Sequence, residues 1–460
     1  MQNSTQKSYY SIFKQLVTLA WPIVLAFIMQ TSYNIVDIFW VGKLGATAIA
    51  AVSLAGTVFY VILAVGQMIG SGTVALVAQS FGAKLIDQAN NIVKQSLLLA
   101  SIIALFVSIM GFIFAGQIMT LLGGRGEVLI LSTNYLKVVF IGFFFQLLSF
   151  SINYGFRGAG DMKTPMMIML VATILNIILD PLLILGVGFF PRLEVQGAAI
   201  ATTIAKCVSF IVGFIILVKG KSGIKLKILE EWKLEIRVVK TILSVGIPVG
   251  ISYSLMALSG MAVFRIVAFF SENAIAALGI GIRILQMASL PVVSIGIATT
   301  TIVGQSLGAR DIKKASQIGV TAMGFSTAIM VFFGIVFIAN ANALVSIFTN
   351  NISVINYGVQ FMKIVSLYLV FVGITISLTG VFRGAGDTLP AMFAGLVKLG
   401  LLIILALLFS QELGMGVTGV WWALFVSYGI ETLIIAVWYA AGRWRRRGLE
   451  LLDNLSGVKS

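Results

Sequence analysis

The sequence predicts an all-α membrane protein with twelve transmembrane helices, arranged as two six-helix bundles related by a parallel duplication. Three observations lead to this prediction. The chain of 460 residues is 59% hydrophobic and only 10% charged, whereas a soluble domain is typically about a quarter charged. Apolar runs long enough to cross a bilayer recur along its whole length. Four short motifs occur twice at one constant spacing.

Each apolar run ends at charged residues or at a stretch rich in glycine or asparagine, which locates the helix ends to within a few residues. The 47 glycines suit membrane helices, because small residues let neighbouring backbones pack closely. The predicted spans are 14–40, 47–76, 92–118, 129–153, 164–189, 196–219, 238–267, 274–303, 316–339, 356–380, 389–410 and 416–441.

Basic residues predict the orientation of these spans. The even-numbered connections contain most of them, including Lys84, Arg157, Arg310 and Arg383, and the odd-numbered connections contain few. Because cytoplasmic loops accumulate lysine and arginine, we expect both termini in the cytoplasm and the chain in the inner membrane of a prokaryote. The net charge of +15 is therefore interpreted as membrane orientation and not as nucleic-acid binding.

Several classes of chemistry are disfavoured by composition. The chain has no histidine, which excludes Ser/His/Asp catalysis and HExxH zinc sites. Cys207 is the single cysteine, so an intrachain disulfide is impossible. The glycine-rich segment FRGAGD lacks the GKS/T ending of a phosphate-binding loop. We therefore expect no enzymatic activity and no cofactor, and an ion gradient as the energy source.

The duplication is visible in motifs repeated 226 residues apart. FRGAGD occurs at 156–161 and 382–387, AIAA at 48–51 and 274–277, QSFGA at 79–83 and QSLGA at 305–309, and Pro22 matches Pro248. Six spans per copy in the same order predict lobes at 1–218 and 241–442 with a cavity between them. An amphipathic linker, 219–240, joins the lobes, with Leu226, Ile228, Leu229 and Trp232 expected to face lipid. A basic tail, 443–460, follows.

Two acids inside the first-lobe spans form the candidate ion site. An ionised carboxylate in hydrocarbon costs on the order of 3 kcal/mol, which makes Asp37 and Asp180 functional candidates. Both lie in the outer half of the membrane, where two carboxylates in one pocket repel unless a proton or cation holds them together. Asn176, one turn before Asp180, and Thr202 offer neutral oxygens that sodium accepts. The alternative is that each acid is a structural hydrogen-bonding group.

Pro22 removes a helix hydrogen bond upstream of Asp37 and predicts a hinge. The 226-residue spacing pairs Asp37 with Val263 and Asp180 with Ala406, so we expect the ion chemistry in the first lobe alone. Glu431 and Lys398 lie at similar depth and are interpreted as a structural ion pair, with a transport role as the alternative. Three further cations, Lys206, Arg265 and Arg283, could line the cavity or reach the membrane surface.

Together, the twelve-span plan, the paired FRGAGD segments, Pro22, Asp37 and the NIILDP segment resemble the multidrug and toxic compound extrusion (MATE) family over essentially the whole chain. The resemblance implies a V-shaped central cavity and export coupled to inward flow of sodium or protons. The N-lobe site of the DNA-damage-inducible and archaeal-type branch is matched by Asp37, Asn176, Asp180 and Thr202, with Tyr33 and Asn153 as neighbours. Thr203 adjoins Thr202 and competes for that match. Acids that another branch carries on spans seven and ten are absent from this sequence.

We therefore expect a secondary active multidrug exporter that exchanges amphipathic organic compounds, with cations favoured, for protons or sodium. Methionine and phenylalanine in the spans suit varied cargo. A flippase for lipid-linked saccharides is the alternative and requires a cationic cavity. An intramembrane enzyme would need clustered acids, which this sequence lacks. A purely structural scaffold would leave the acid pair unexplained. Expected partners are membrane lipids and small amphipathic substrates, with no nucleic acid, and we expect a monomer.

Overall fold

The computed structural model describes residues 2–188, 190–227 and 231–456, and over these residues the chain is helical with connecting turns. The α-helices are α1 Gln2–Gly42, α2 Ala46–Gly56, α3 Phe59–Gly82, α4 Ile86–Leu121, α5 Gly126–Gly158, α6 Lys163–Leu185, α7 Glu194–Lys219, α8 Ile236–Val267, α9 Glu272–Gly308, α10 Ile312–Ser346, α11 Ile352–Ala385, α12 Leu389–Leu407, α13 Val417–Ala441 and α14 Arg443–Ser456. A short π-helix, Leu408–Glu412, extends α12.

The twelve predicted spans are confirmed, since the described residues contain twelve helical segments long and apolar enough to cross a membrane. The second span consists of two helices, α2 and α3, which are separated at residues 57–58. Most helices run past the predicted ends because their polar first and last turns continue the helix beyond the apolar stretch. The fifth span is shorter than expected: α6 ends at Leu185, where Gly186 takes up a left-handed conformation with φ 72°.

The contacts divide the chain into two compact units. The N-unit is Pro22–Ile247, and the C-unit comprises Met1–Trp21 and Pro248–Ser460. Within the C-unit, the first part of α1 packs Leu16 into an apolar cluster, and Phe13 contacts Phe325 at 4.7 Å between ring centroids. Within the N-unit, Gly246, about three turns into α8, lies so close to Met68 that a Cβ would meet the Met68 carbonyl oxygen at 1.9 Å.

These units differ in outline from the lobes that the repeat suggests. The repeat assigns α1 to the first lobe and α8 to the second lobe. The contacts instead divide each helix between the two units at its proline, Pro22 or Pro248. The two prolines occupy matching positions in the two copies. The division is therefore itself a property of the repeat.

The duplication also appears in the backbone of the connecting turns. Lys84 and Arg310, which are 226 residues apart, have left-handed φ angles of 62° and 59°. In the FRGAGD turns, the amide of Asp161 donates to the Phe156 carbonyl and the amide of Asp387 to the Phe382 carbonyl, both at 2.9 Å. Equal conformations at equal spacing show that the two copies fold these turns in the same way.

The linker between the copies is docked on the N-unit. The described residues between α7 and α8 contain no helix. Ser222 donates to Asp161 Oδ2 at 2.6 Å, and the amide of Lys225 donates to Asn90 Oδ1 at 2.9 Å. Leu226 was expected to face lipid, and this prediction is wrong, because its side chain is packed into the protein and only 3% exposed. Trp232 is 37% exposed, and Ile228 and Leu229 lie outside the described residues.

The basic tail forms α14, whose apolar side packs on the C-unit. Trp444 is fully buried, stacks on Tyr439 at 5.5 Å and donates from Nε1 to the Tyr439 carbonyl at 3.2 Å. Arg310 forms an ion pair with Asp453 at 2.6 Å. Burial raises the pKa of Asp387, in the FRGAGD turn between α11 and α12, above its usual range, while Arg447 and Arg443 of α14 act in the opposite direction.

Candidate ion-binding site

Four helices of the N-unit bring seven polar side chains to one region, which we call the acid cluster. It consists of Tyr33 and Asp37 on α1, Tyr135 on α5, Asn176 and Asp180 on α6, and Thr202 and Lys206 on α7. The two acids lie close enough to repel each other electrostatically. The structure therefore brings together Asp37 and Asp180, which are 143 residues apart along the chain.

Helical spacing explains how each helix contributes to the cluster. Residues four apart lie on one face of a helix, one turn above the other. This spacing relates Tyr33 to Asp37 and Thr202 to Lys206. It also relates Asn176 to Asp180, which is followed by Pro181 inside α6. A proline has no amide hydrogen to donate, so the carbonyl of Ile177 loses its helical partner near the acid.

Two hydrogen bonds fix the orientation of the cluster. Tyr33 donates its hydroxyl to Thr202 Oγ1 at 2.8 Å and thereby connects α1 to α7. Asn176 donates from Nδ2 to Asp180 Oδ1 at 3.0 Å within α6. Thr203 points elsewhere, with its hydroxyl 3.3 Å from the Val138 carbonyl on α5. The structure thus places Thr202 and not Thr203 among the cluster residues.

Three buried oxygens of the cluster have no hydrogen-bond donor among the described residues. They are Asp37 Oδ1, Asn176 Oδ1 and Asp180 Oδ2. Asn176 and Asp180 are fully buried. Burying an oxygen without a partner costs free energy that water or a ligand would otherwise offset. Two carboxylate oxygens and one amide oxygen are the ligands that hard cations prefer, and the carboxylates also accept protons.

Lys206 and Tyr135 complete the cluster and were not assigned to it from the sequence. The Lys206 ammonium interacts electrostatically with Asp37 and lies 4.9 Å from the centre of the Phe59 ring. Tyr135 is 5% exposed and lies within electrostatic range of both acids. The spacing of Lys206 from Thr202 was a usable signal. The sequence around Tyr135 contains none.

Asn153 is not part of the acid cluster. It lies on α5, 18 residues beyond Tyr135, which corresponds to roughly 27 Å along the helix axis. Its Oδ1 is buried and accepts no hydrogen bond from the described residues. The expected proximity of Asn153 to the acids is therefore wrong.

In the C-unit, Lys398 Nζ lies 2.9 Å from Glu431 Oε2. The same ammonium lies 4.4 Å from the ring centre of Tyr428, which stacks on Tyr368 at 4.6 Å. Arg265 and Arg283 are exposed, and Arg265 lies over the Phe269 ring at 5.2 Å. The buried lysine of the C-unit thus has an acid partner at contact distance.

The positions that match the acid cluster in the second copy form a packed core. Val263, Leu402 and Ala406 lie 226 residues beyond Asp37, Asn176 and Asp180, and all three are buried in one apolar cluster. Apolar side chains stand at these positions in place of the carboxylate and amide groups of the first copy. The structure therefore places the oxygen cluster in one copy of the repeat and hydrocarbon in the other.

Duplicated bundles of apolar helices are typical of multi-pass membrane transporters, and in this chain one copy contains a buried oxygen cluster. The MatE family profile matches residues 22–182 and 248–408, so the chain belongs to the MatE family. The two matched segments begin and end 226 residues apart, in agreement with the pairing of Asp180 with Ala406.

The chain is similar to named proteins along most of its length. It is 27% identical over 441 residues to the probable multidrug resistance protein YoeA of Bacillus subtilis, covering 94% of this chain and 95% of that protein. It is 27% identical over 427 residues to the multidrug export protein MepA of Staphylococcus aureus, covering 92% of each. A crystal structure of a MATE protein in a bent conformation superposes with a TM-score of 0.88 at 24% identity, covering 98% of this chain and 99% of that one.

Proposed function

We propose that the protein is a secondary active multidrug exporter that exchanges amphipathic organic compounds, with cations favoured, for sodium or protons. Membership of the MatE family supports export, and the similar proteins YoeA and MepA are named for multidrug resistance and multidrug export. In this proposal the chain performs no covalent chemistry, binds no cofactor and acts as a monomer.

The observation that carries the proposal is the pair of carboxylates from two helices with unpartnered buried oxygens. Repulsion between Asp37 and Asp180 favours uptake of a positive charge between them. Asn176 supplies a neutral oxygen, and Tyr33 holds Thr202 in place for the same role. A sodium ion or a proton bound here removes the repulsion and draws α1 towards α6.

Coupling to cargo follows if the two states of α1 differ in their affinity for the compound. Asp37 lies beyond Pro22, and Pro22 marks the point where α1 passes from the C-unit to the N-unit. Loss of a helix hydrogen bond at proline makes this the point at which α1 bends most easily. Ion binding then favours the conformation with the lower affinity for cargo, and cargo binding disfavours the ion by the same factor.

Two finer assignments belong to the same proposal. The set Asp37, Asn176, Asp180 and Thr202 supports placement in the DNA-damage-inducible and archaeal-type branch of the family. The basic residues of the even-numbered connections and of α14 support a position in the inner membrane with both termini in the cytoplasm. The same oxygens accept a sodium ion or a proton, so the proposal includes both as coupling ions.

A flippase for lipid-linked saccharides is not favoured. That function requires buried cations that are available to a polyanionic lipid headgroup. Of the four candidate cations, Lys398 forms an ion pair with Glu431, and Lys206 interacts electrostatically with Asp37. The remaining two, Arg265 and Arg283, are exposed side chains. The relatives are also named for multidrug transport and not for lipid transport.

Export of a cationic dye from vesicles that contain the full-length protein tests the proposal. The variants are Asp37→Asn and Asp180→Asn, which keep the shape of each side chain and remove its charge. Each is expected to abolish gradient-driven export, because the site then lacks one of its two charges. Varying external sodium at fixed pH, and then pH without sodium, identifies the coupling ion.

Asp87→Asn is the matched control, since Asp87 is an exposed acid in the first turn of α4. It should export dye at the wild-type rate. Undiminished gradient-driven export by both cluster variants, at wild-type membrane levels, would remove the coupling role from the acid pair.

A further inference from the structure

The acid cluster contains a third charged group that ion binding does not account for. Lys206 is on α7, one turn beyond Thr202, and its ammonium interacts with Asp37. The cluster therefore contains two acids and one base. The remaining titratable groups that face it, Tyr33 and Tyr135, contribute hydroxyl dipoles and no net charge.

The surroundings of the ammonium confine it to the cluster. Nζ is buried, and no described residue accepts a hydrogen bond from it. Phe59 covers it, with the ring centre 4.9 Å away. By contrast, the buried Lys398 has an acid oxygen at 2.9 Å. The Lys206 ammonium is thus buried without a hydrogen-bond acceptor among the described residues, and the acid with which it interacts electrostatically is Asp37.

We propose that Lys206 is a built-in cation that sets the coupling at one monovalent cation per transport cycle. A buried cluster is stable only when its net charge is close to zero. The two carboxylates carry two negative charges and Lys206 offsets one, so a single sodium ion or proton completes neutralisation. Without Lys206 the same acids require two positive charges. The inference rests on the proposed function, since it assumes that the acid pair binds the coupling ion.

Net charge movement tests the stoichiometry whether the coupling ion is sodium or a proton. Liposomes that contain the full-length protein are loaded with ethidium, a monovalent cationic dye, and a fixed gradient of the coupling ion is applied across them. Potassium and valinomycin then set the membrane potential. Exchange of one cation for one dye cation moves no net charge, so the steady dye ratio of the wild-type protein should not respond to potential. Protein-free liposomes give the passive response of the dye.

Lys206→Met removes the charge and keeps an unbranched apolar side chain. When two cations are exchanged for one dye cation, one net charge crosses the membrane in each cycle. A change of about 59 mV in membrane potential should then change the steady ratio of dye inside to dye outside about tenfold. Lys206→Arg retains the charge, so its steady dye ratio is expected to stay independent of the membrane potential, whatever its rate of export. Lys137→Met is the matched control, because Lys137 also lies over a ring, Phe112 at 5.7 Å, and does so outside the cluster.

Two results would overturn the inference: a potential-dependent dye ratio in the wild-type protein, or a potential-independent ratio in active Lys206→Met. If Lys206→Met cannot be reconstituted, Lys206→Gln, which also removes the charge, takes its place with the same expected response to potential. Failure of the proposed function is distinguishable, because Asp37→Asn and Asp180→Asn would then keep gradient-driven export whatever the charge count.

Discussion

Two adjacent threonines on α7 show how closely the site depends on single side chains. Thr202 Oγ1 accepts the hydrogen bond of Tyr33 at 2.8 Å, whereas Thr203 Oγ1 lies 3.3 Å from the Val138 carbonyl. Neighbours in a helix point about 100° apart. Only one of the two hydroxyls can therefore lie beside the acids of α1 and α6.

Thr202→Val is expected to weaken activation of dye export by the coupling ion about fivefold, because it removes an oxygen worth about 1 kcal/mol to the site. The measurement is the ion concentration that gives half-maximal export. Thr203→Val, of identical chemistry, should leave that concentration unchanged. Equal effects of the two substitutions would mean that the hydroxyl of Thr202 has no special role.

At the scale of elements, the segments that follow each copy dock on the turns of their own unit. Gly223 of the linker lies against Phe81, and Gly448 of α14 lies against Leu307. Phe81 and Leu307 are 226 residues apart and belong to the repeated QSFGA and QSLGA motifs. The linker and α14 therefore cover matching turns, although the described residues of the linker are irregular and α14 is helical.

Trp444→Ala is expected to release α14 from the C-unit. Removing a buried tryptophan costs about 3–5 kcal/mol, and a terminal helix can detach without unfolding of the rest. Limited trypsin digestion of purified protein should then cut the arginine-rich segment at 443–447 several times faster than in the wild type.

The control for this experiment is Glu450→Gln, which breaks the exposed ion pair of Arg446 and Glu450 at 2.8 Å. Such pairs contribute little, about 0–1 kcal/mol, so digestion should proceed at the wild-type rate. Unchanged digestion of Trp444→Ala would show that α14 is held by other contacts.

At the scale of the whole molecule, the two copies of the repeat share their backbone turns but differ in their buried acids. The backbone turns recur at the 226-residue spacing, with φ 62° at Lys84 and 59° at Arg310. The buried acids do not recur, because Val263 and Ala406 are packed among apolar side chains. A repeat needs equal backbones to keep its architecture, whereas a charge is tolerated only where partners surround it.

Introducing an acid into the second copy, as Val263→Asp or Ala406→Asp, should therefore not create a second ion site. Each variant is expected to lose about 3–5 kcal/mol of stability from an uncompensated buried charge. Thermal unfolding in detergent, with Val263→Ala as the packing control, measures this loss. Wild-type unfolding temperatures together with a second bound ion would contradict the expectation.

Motifs repeated 226 residues apart determined the duplication. Hydrophobicity and charge in the sequence alone determined the twelve spans and the candidacy of Asp37 and Asp180. These properties are local, and the bilayer sets both the length of a span and the free-energy cost of an acid within it. Only the tertiary structure decided between Thr202 and Thr203, placed Lys206 beside the acids, and showed that Asn153 lies away from them and that Leu226 is buried. Those outcomes depend on how each helix is rotated and offset against its neighbours. The rotation and offset of each helix depend on packing contacts with helices that are distant in the sequence. They therefore cannot be predicted from any one segment of the chain.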